Sequence, residues 1–215
     1  MGVWVPALLL WLSVMSFQKI LSLRKKTAPL SKIVSSDCKE LMIPEALIQK
    51  ILKDYALPLD GIHGISHWGR VLETSLRLAQ HTGAKGEVGQ LFAVFHDAKR
   101  VNEGVDFDHG RRGADFAASL RGSLFNLSAK DFDLLYAACA YHTDGLTDGN
   151  ITVQTCWDAD RLDLGRAGIT PLLQYLGTEA AKDPQLIRWA DERSQKRSVP
   201  DVVRREWAWG DKAYL

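Results

Sequence analysis

The spacing of apolar residues is helical over most of the chain. Apolar side chains recur three or four residues apart at 45–52 and 71–79, and the same period returns at 87–97 and 110–120. This spacing places the apolar side chains on one face of a helix, where they can pack against a core. Only the brief segment 150–153 has the composition of a strand. The pattern therefore predicts an all-α fold.

Residues that start or stop helices punctuate this pattern. Ser66 can cap the helix over 71–79, and Gly83 can end it in a left-handed conformation. Further helix starts are marked by Pro44, by Ser128 with Asp131 three residues later, and by Thr170-Pro171. Four of the predicted helices thus have a local signal for at least one of their ends.

The amino terminus differs from the rest of the chain. Residues 3–17 are almost wholly apolar, and four basic residues follow them: Lys19, Arg24, Lys25 and Lys26. A secretory signal would carry its positive charge before the apolar run, whereas charge after the run favours a cytoplasmic location for the remainder. The run reaches the roughly 20 residues of a membrane span only if it is extended to residue 23. Three interpretations stay open: a single-span anchor to the inner face of the membrane, an interfacial helix, or a start codon assigned too far upstream.

We divide the chain on this basis. Residues 1–24 are a hydrophobic segment whose expected membrane association runs through 3–23, and 25–43 are a linker. The helical domain is expected over 44–190, followed by a tail at 191–215 that is basic and then rich in tryptophan. Because aromatic side chains more often cover the edge of a core than bind a ligand, we expect the tail to pack on the domain.

Composition narrows the class of protein. The chain has 215 residues, of which 46% are hydrophobic, so it can bury a sizeable core and one main domain is expected. Its net charge of +1 gives no indication of a surface that binds nucleic acid polymers. The three cysteines (Cys38, Cys139 and Cys156) are too few and too scattered for a disulfide framework. They indicate reduced, buried thiols and a cytoplasmic location.

Four residues form a candidate set of metal ligands: His67, His96, Asp97 and Asp160. Imidazole and carboxylate groups bind divalent transition metals where no cysteine cage is present. Four such ligands leave coordination positions open for water, which favours a catalytic ion over a structural one. His96 and Asp97 diverge on an ideal helix, so both can bind one ion only near a helix end.

The order and context of these residues resemble the HD-domain superfamily of metal-dependent phosphohydrolases, whose signature is H…HD…D. The resemblance extends over roughly 44–175 and is strongest to small bacterial members that end in a motif of the type Asp158-Ala159-Asp160-Arg161-Leu162-Asp163. It implies a helical HD bundle that hydrolyses a nucleotide or another small phosphate ester. Mn²⁺ is the favoured ion, with Mg²⁺, Fe²⁺ and Co²⁺ as alternatives. Leu164 and Arg166 depart from the family pattern and leave the substrate open.

The resemblance also implies roles for residues around the ligands. Arg161 follows a ligand directly and is expected to contact substrate phosphate, while Arg70 or Lys99 neutralises the phosphoryl oxygens. His142 or His109 would protonate the leaving oxygen or complete a second metal position. Two further histidines have lesser expected roles: His63 supports the ligands, and His81 is structural at the end of a helix.

Two alternative functions stay open. Some HD relatives are di-iron oxygenases with the pattern H…HD…H…H…D, and His109 and His142 supply the two extra histidines. His109 follows Asp97 by only twelve residues, a spacing that is short for an independent ligand helix. The second alternative is a non-catalytic HD module that binds a nucleotide and signals to a partner while tethered to the membrane. The chain has no P-loop or Rossmann fingerprint.

Overall fold

A computed structural model of the protein describes residues 43–207, which form eight α-helices and no β-strand. The all-α prediction is confirmed for this part of the chain. The helices are α1 Glu45–Asp54, α2 Ile65–Thr82, α3 Gly86–Phe95, α4 His109–Leu120, α5 Ala129–Ala140, α6 Ile151–Arg161, α7 Pro184–Gln195 and α8 Asp201–Arg205. Three short 3-10 turns lie between α6 and α7, at Leu164–Ala167, Leu173–Tyr175 and Ala180–Lys182.

Two of the predicted helix boundaries are confirmed with the expected capping geometry. Gly83 ends α2 in the left-handed region, with φ of 72°, and its backbone N–H donates to the carbonyl of Ala79. The side chain of Ser128 caps α5 by accepting a hydrogen bond from the backbone N–H of Asp131. Local chemistry therefore determines these two ends.

The start of α2 differs from the prediction. Gly64, not Ser66, occupies the capping position, and the N–H of Ile65 donates to the carbonyl of Leu59. A Cβ atom at Gly64 would lie 2.1 Å from that same carbonyl oxygen. The tight turn over 59–64 therefore begins the helix earlier than Ser66, because only a glycine fits so close to the backbone.

Two other predictions about local structure are wrong. Segment 150–153, the only candidate strand, is the first turn of α6, where the Asn150 side chain accepts from the N–H of Thr152. No α-helix begins at Thr170-Pro171, and only the short 3-10 turn at 173–175 follows. In both places hydrogen bonds that the periodicity does not report decide the backbone conformation.

The core lies between four helices. α2, α3, α5 and α6 pack on one another, and all eight residues from Val88 to Phe95 in α3 are buried. α4 packs on α5, while α7 and α8 cover α2 and bury Val203 and Trp207. The described part of the carboxyl-terminal segment is therefore packed on the helical body. Cys139 and Cys156 are buried free thiols, as expected.

None of the helices between residues 43 and 207 is long and apolar enough to cross a membrane. The hydrophobic segment at 1–24 and its expected anchor lie outside the described residues. The same holds for almost all of the linker at 25–43, including Cys38, and for the last residues of the tail at 208–215.

Two glycines let α4 approach its neighbours closely. A Cβ atom at Gly113 would lie 2.3 Å from the carbonyl oxygen of Phe95, the last residue of α3. A Cβ atom at Gly110 would lie 2.4 Å from the carbonyl oxygen of Cys139, near the end of α5. Both carbonyls belong to the backbone, so α4 would have to move away from α3 and α5 to make room for a Cβ atom. The two glycines therefore set the distance between α4 and the carboxyl ends of α3 and α5.

We expect Gly113→Ala to lower the free energy of unfolding by about 1–3 kcal/mol, because the added methyl group overpacks a backbone contact. Urea denaturation followed by circular dichroism measures this change. Gly86→Ala is the matched control, since a Cβ atom there would lie 3.5 Å from Leu76, an ordinary contact at a helix start. Equal stability of the two variants would contradict the close packing of α4.

Candidate metal centre

The predicted metal ligands lie at helix ends that converge in the core. His67 is in the first turn of α2, His96 and Asp97 directly follow α3, and Asp160 is in the last turn of α6. The placement of His96 and Asp97 at a helix end agrees with the prediction. Because a helix carries partial negative charge at its carboxyl end, the ends of α3 and α6 favour a cation here.

Two imidazole nitrogens of this cluster each lie within 4 Å of two carboxylate oxygens. His67 Nε2 is 3.0 Å from His96 Nε2, and it lies 3.5 Å from Asp97 Oδ2 and 3.4 Å from Asp160 Oδ1. His96 Nε2 lies 3.6 and 3.8 Å from the same two carboxylate oxygens. We call these four atoms the first ligand group. The atoms of His67, His96 and Asp97 could hold one ion, and Asp160 Oδ1 lies beside both imidazole nitrogens.

The hydrogen bonds of the two imidazoles explain why their Nε2 atoms face each other. His67 Nδ1 lies 2.7 Å from Asp163 Oδ2, to which it donates. His96 Nδ1 donates to the carbonyl oxygens of Phe92 and Ala93, each at 3.1 Å. With each Nδ1 proton directed to an acceptor, the Nε2 atoms face each other. Two imidazole nitrogens 3.0 Å apart need a shared cation between them, either a proton or a metal ion.

The protonation states of His96, Asp97 and Asp160 are those of metal ligands. Burial lowers the pKa of His96 to about 3, so the ring is neutral near pH 7. Burial opposes ionisation of Asp97, but the imidazoles of His96 and His109 hold its pKa well below the usual range. Burial likewise opposes ionisation of Asp160, and the Arg166 guanidinium holds the pKa of that carboxyl far below its usual value. The neutral His96 nitrogen and the two carboxylates therefore face His67 Nε2.

Two buried carboxylate oxygens of the cluster lack a hydrogen-bond donor among residues 43–207. Asp160 Oδ1 belongs to the first ligand group, whereas Asp97 Oδ1 is directed away from it, toward His109. An anionic oxygen that is buried without a donor is costly unless it binds a cation. The residues therefore fit a divalent ion, with imidazole nitrogen and carboxylate oxygen as its ligands.

A second ligand group lies on the other side of Asp97. His109 Nε2 lies 3.1 Å from Asp97 Oδ1 and 2.9 Å from His142 Nε2. The Nδ1 atoms donate to main-chain carbonyls, that of His109 to Asp106 and that of His142 to Cys139 at 2.7 Å. Asp97 thus presents one oxygen to each group. These three side chains could also hold an ion.

The short spacing between Asp97 and His109 does not keep the two apart, contrary to the expectation from sequence. His109 is the first residue of α4, and loop 98–108 reverses the chain so that α4 returns to the cluster. Inside this loop, Asp106 Oδ2 accepts from the N–H of Val101, and Asn102 Oδ1 accepts from the N–H of Gly104. Eleven residues therefore suffice to bring a new helix to the centre.

Asp163 orients His67 and is itself held by Arg70. Arg70 Nε and Nη2 donate to the two Asp163 oxygens at 2.7 and 2.9 Å, and Nη1 donates to the carbonyl of Ser198. The pKa of Asp163 is lowered against its burial by the hydrogen bond from His67 and by Arg70. Arg70 thus supports a ligand from behind, and its predicted contact with substrate stays a prediction. The sequence signal for Asp163 was its position three residues after Asp160.

Two other histidines have the surroundings expected for supporting roles. His63 Nδ1 lies 2.8 Å from Asp97 Oδ2, and the backbone carbonyl of His63 accepts from the Tyr55 hydroxyl. His63 Nε2 faces Glu103 at 4.0 Å. His81 is exposed in the last turn of α2, away from both ligand groups.

Arg161 and Lys99 have different surroundings in the structure. Arg161 Nη1 donates to the carbonyl of Tyr175 at 2.7 Å, while its buried Nη2 has no hydrogen-bond partner within the described chain. Lys99 lies in a surface cleft of about 530 Å³, with its ammonium 3.6 Å from Asp54 and 4.1 Å from the Phe116 ring centroid. Contact of either residue with a phosphate stays a prediction.

Two buried arginines near the cluster were not among the predicted site residues. Arg166 donates to the carbonyls of Ile62 and Asp163, and its Nη2 lies 3.6 Å from Asp160 Oδ1. Arg100 lies beside the second group, with Nη1 3.5 Å from Asp97 Oδ1. For Arg166 the signal available was its departure from the resembled motif. For Arg100 no pattern distinguishes it from a surface residue of the loop.

Comparison with protein-family models, with curated proteins and with solved structures gives no match to this chain.

We expect Asp163→Asn to weaken Mn²⁺ binding by about 10–100-fold, because His67 loses its charged acceptor and Arg70 its ion pair. A fluorescence or calorimetric titration of the metal-free protein measures the dissociation constant. Asp133→Asn is the matched control, since Asp133 is exposed on α5. If a folded Asp163→Asn protein bound Mn²⁺ as tightly as the control, Asp163 would have no part in orienting His67.

Proposed function

We propose that the protein is a metal-dependent phosphohydrolase of the HD type that acts on a nucleotide or another small phosphate ester. The observation that carries the proposal is the first ligand group, in which two imidazole nitrogens face each other beside two carboxylates. The order of the four ligands in the sequence, H…HD…D, supports the family. Mn²⁺ is the favoured ion for this nitrogen and oxygen set.

A divalent ion held by His67, His96, Asp97 and Asp160 would lower the pKa of a bound water and polarise a phosphoryl oxygen. The protein's own groups have separate tasks. His142 is buried with its Nδ1 tied to a carbonyl, so only its Nε2 is directed toward the cluster and available to move a proton. Arg161, whose Nη2 has no partner within residues 43–207, is the candidate for contact with phosphate.

Exposed apolar side chains in the chain segments that adjoin the cluster residues favour a substrate with an apolar or aromatic part. Within the described residues, every exposed large hydrophobic side chain lies in one of three segments, 98–108, 141–151 or 162–177. The first segment joins Asp97 to His109, the second contains His142, and the third follows Asp160. The side chains are Val101, Val105, Phe107, Tyr141, Leu146, Ile151, Ile169, Leu172, Leu173 and Tyr175. A nucleotide base is one group that such side chains would contact.

The decisive experiment is hydrolysis by the metal-loaded protein. We expect phosphate release from at least one member of a panel of nucleotides and sugar phosphates in the presence of Mn²⁺, with loss of activity on chelation and recovery on adding Mn²⁺ back. Asp97→Ala should lose metal and activity together, because Asp97 supplies an oxygen to the first ligand group. A metal-replete Asp97→Ala protein with full activity would refute the proposal.

We expect Arg161→Ala to keep its metal while its rate or substrate affinity falls by about 10²-fold or more, because a charge-assisted contact to phosphate is lost. Steady-state kinetics together with metal analysis measures both quantities. Arg188→Ala removes an exposed arginine from α7 and serves as the control. Unchanged kinetics in Arg161→Ala would leave Arg161 with only its hydrogen bond to Tyr175.

A di-iron oxygenase is the second candidate, and the second ligand group favours it. His109, His142 and Asp97 Oδ1 complete the set H…HD…H…H…D around two adjacent positions. Such an enzyme would hold two iron ions per chain and consume oxygen with its substrate. Iron analysis and oxygen uptake distinguish it from a hydrolase that works with Mn²⁺ alone.

Two further expectations remain proposals. We place the protein in the cytoplasm, tethered to the inner face of the membrane through residues 3–23, which lie outside the described residues. A non-catalytic module that binds a nucleotide would bind a member of the panel without hydrolysing it. That outcome would assign the centre a signalling role.

A further inference from the structure

Arg100 places a permanent positive charge at the second ligand group. Its Nη1 atom lies 3.1 Å from His109 Nε2 and 3.5 Å from Asp97 Oδ1, two of the three ligand atoms of that group. The side chain is only 6% exposed, so water screens this charge weakly.

The backbone of its own loop fixes this guanidinium in position. Arg100 Nε donates to the carbonyl of Asn102 at 3.3 Å, and Nη2 donates to the carbonyl of Gly104 at 2.6 Å. Within residues 43–207, Asp97 is the one carboxylate at ion-pair distance from Arg100. The guanidinium therefore does not depend on a metal ligand for its orientation, and its charge is directed at Asp97.

An ion in the second group would lie very close to this charge. A metal–nitrogen bond to His109 is about 2.1 Å long, so the ion would lie within about 5 Å of Arg100 Nη1. A divalent ion and a guanidinium repel strongly at that distance when both are buried. They would also compete for one carboxylate oxygen, Asp97 Oδ1.

We propose that Arg100 takes the place of a second metal ion, so that the centre holds one tightly bound ion, in the first ligand group. The inference rests on the proposed function only in assigning the first group to a metal. It extends that function by making Arg100 the second cation of the site. Its charge faces Asp97 and would also attract an anion bound to the single ion.

An arginine also lies near the first group, but its charge faces two carboxylates. Arg166 Nη2 lies 3.6 Å from Asp160 Oδ1, while its Nη1 lies 3.7 Å from Asp163 Oδ2. The first group also has two carboxylates, whereas the second has only one oxygen of Asp97. The electrostatic balance therefore favours an ion in the first group and disfavours one in the second.

Mn²⁺ titration of the metal-free full chain tests the proposal without a substrate. We expect one tight ion per wild-type chain, and Arg100→Gln should bind a second ion at least about 10-fold more tightly than the wild type does. Electron paramagnetic resonance should then show two coupled Mn²⁺ ions in Arg100→Gln, because Asp97 would bridge them. Arg100→Lys keeps the charge and should remain a one-ion protein, as should the control Arg111→Gln, which removes an exposed charge from α4.

A second variant tests the proposal even if Arg100→Gln does not fold. His109→Ala should leave the Mn²⁺ stoichiometry of the wild type at one, and in the Arg100→Gln background it should abolish the second ion. Two tight ions in the wild type, reduced to one by His109→Ala, would overturn the inference. So would a folded Arg100→Gln protein with unchanged Mn²⁺ binding. Absence of phosphate release would count against the proposed function alone, since these measurements use only Mn²⁺.

Discussion

The arrangement of the centre depends on two imidazole nitrogens that face each other. His67 and His96 each donate their Nδ1 proton to a fixed acceptor, a carboxylate in one case and helix carbonyls in the other, so their Nε2 atoms meet 3.0 Å apart. Two nitrogens at this distance need a shared cation, either a proton or a metal ion. Because an ion bound here would stabilise the folded state and not the unfolded one, we infer that metal binding and folding are linked.

The fold supplies this contact by bringing helix ends together. The carboxyl ends of α3, α5 and α6 converge on the cluster. Carbonyls of α3 and α5 accept hydrogen bonds from imidazoles, and all three helix ends favour positive charge. Gly110 and Gly113 allow α4 to approach the ends of α5 and α3, which carries His109 to within 3.1 Å of Asp97. The tertiary contacts that stabilise the bundle therefore also set the geometry of both ligand groups.

The difference between local sequence signals and tertiary contacts explains what could be predicted from the sequence. The helices and the cluster of His67, His96, Asp97 and Asp160 were predictable, because apolar periodicity and rare side chains in a fixed order are local signals. His109 was expected at the site only through the family resemblance, since the hydrogen bonds inside loop 98–108 that turn the chain back have no signal in the apolar pattern. A helix was predicted to begin at Thr170-Pro171, yet tertiary hydrogen bonds such as that from Arg161 to Tyr175 hold this segment. Arg100 and Arg166 were missed because a buried arginine and a surface arginine look alike in sequence.

The charges of six buried side chains around the centre cancel, so one divalent ion would give the site the charge that offsets a phosphate dianion. Three carboxylates (Asp97, Asp160 and Asp163) contact three guanidinium groups (Arg70, Arg100 and Arg166), which gives no net charge from these six side chains. The imidazole of His96, whose pKa burial lowers to about 3, adds none near pH 7. One divalent ion would bring the total to the charge that offsets a phosphate monoester dianion. A second ion would leave an excess of positive charge in a buried site, where uncompensated charge is costly. The number of ions in the centre therefore depends on the three arginines as well as on the ligands.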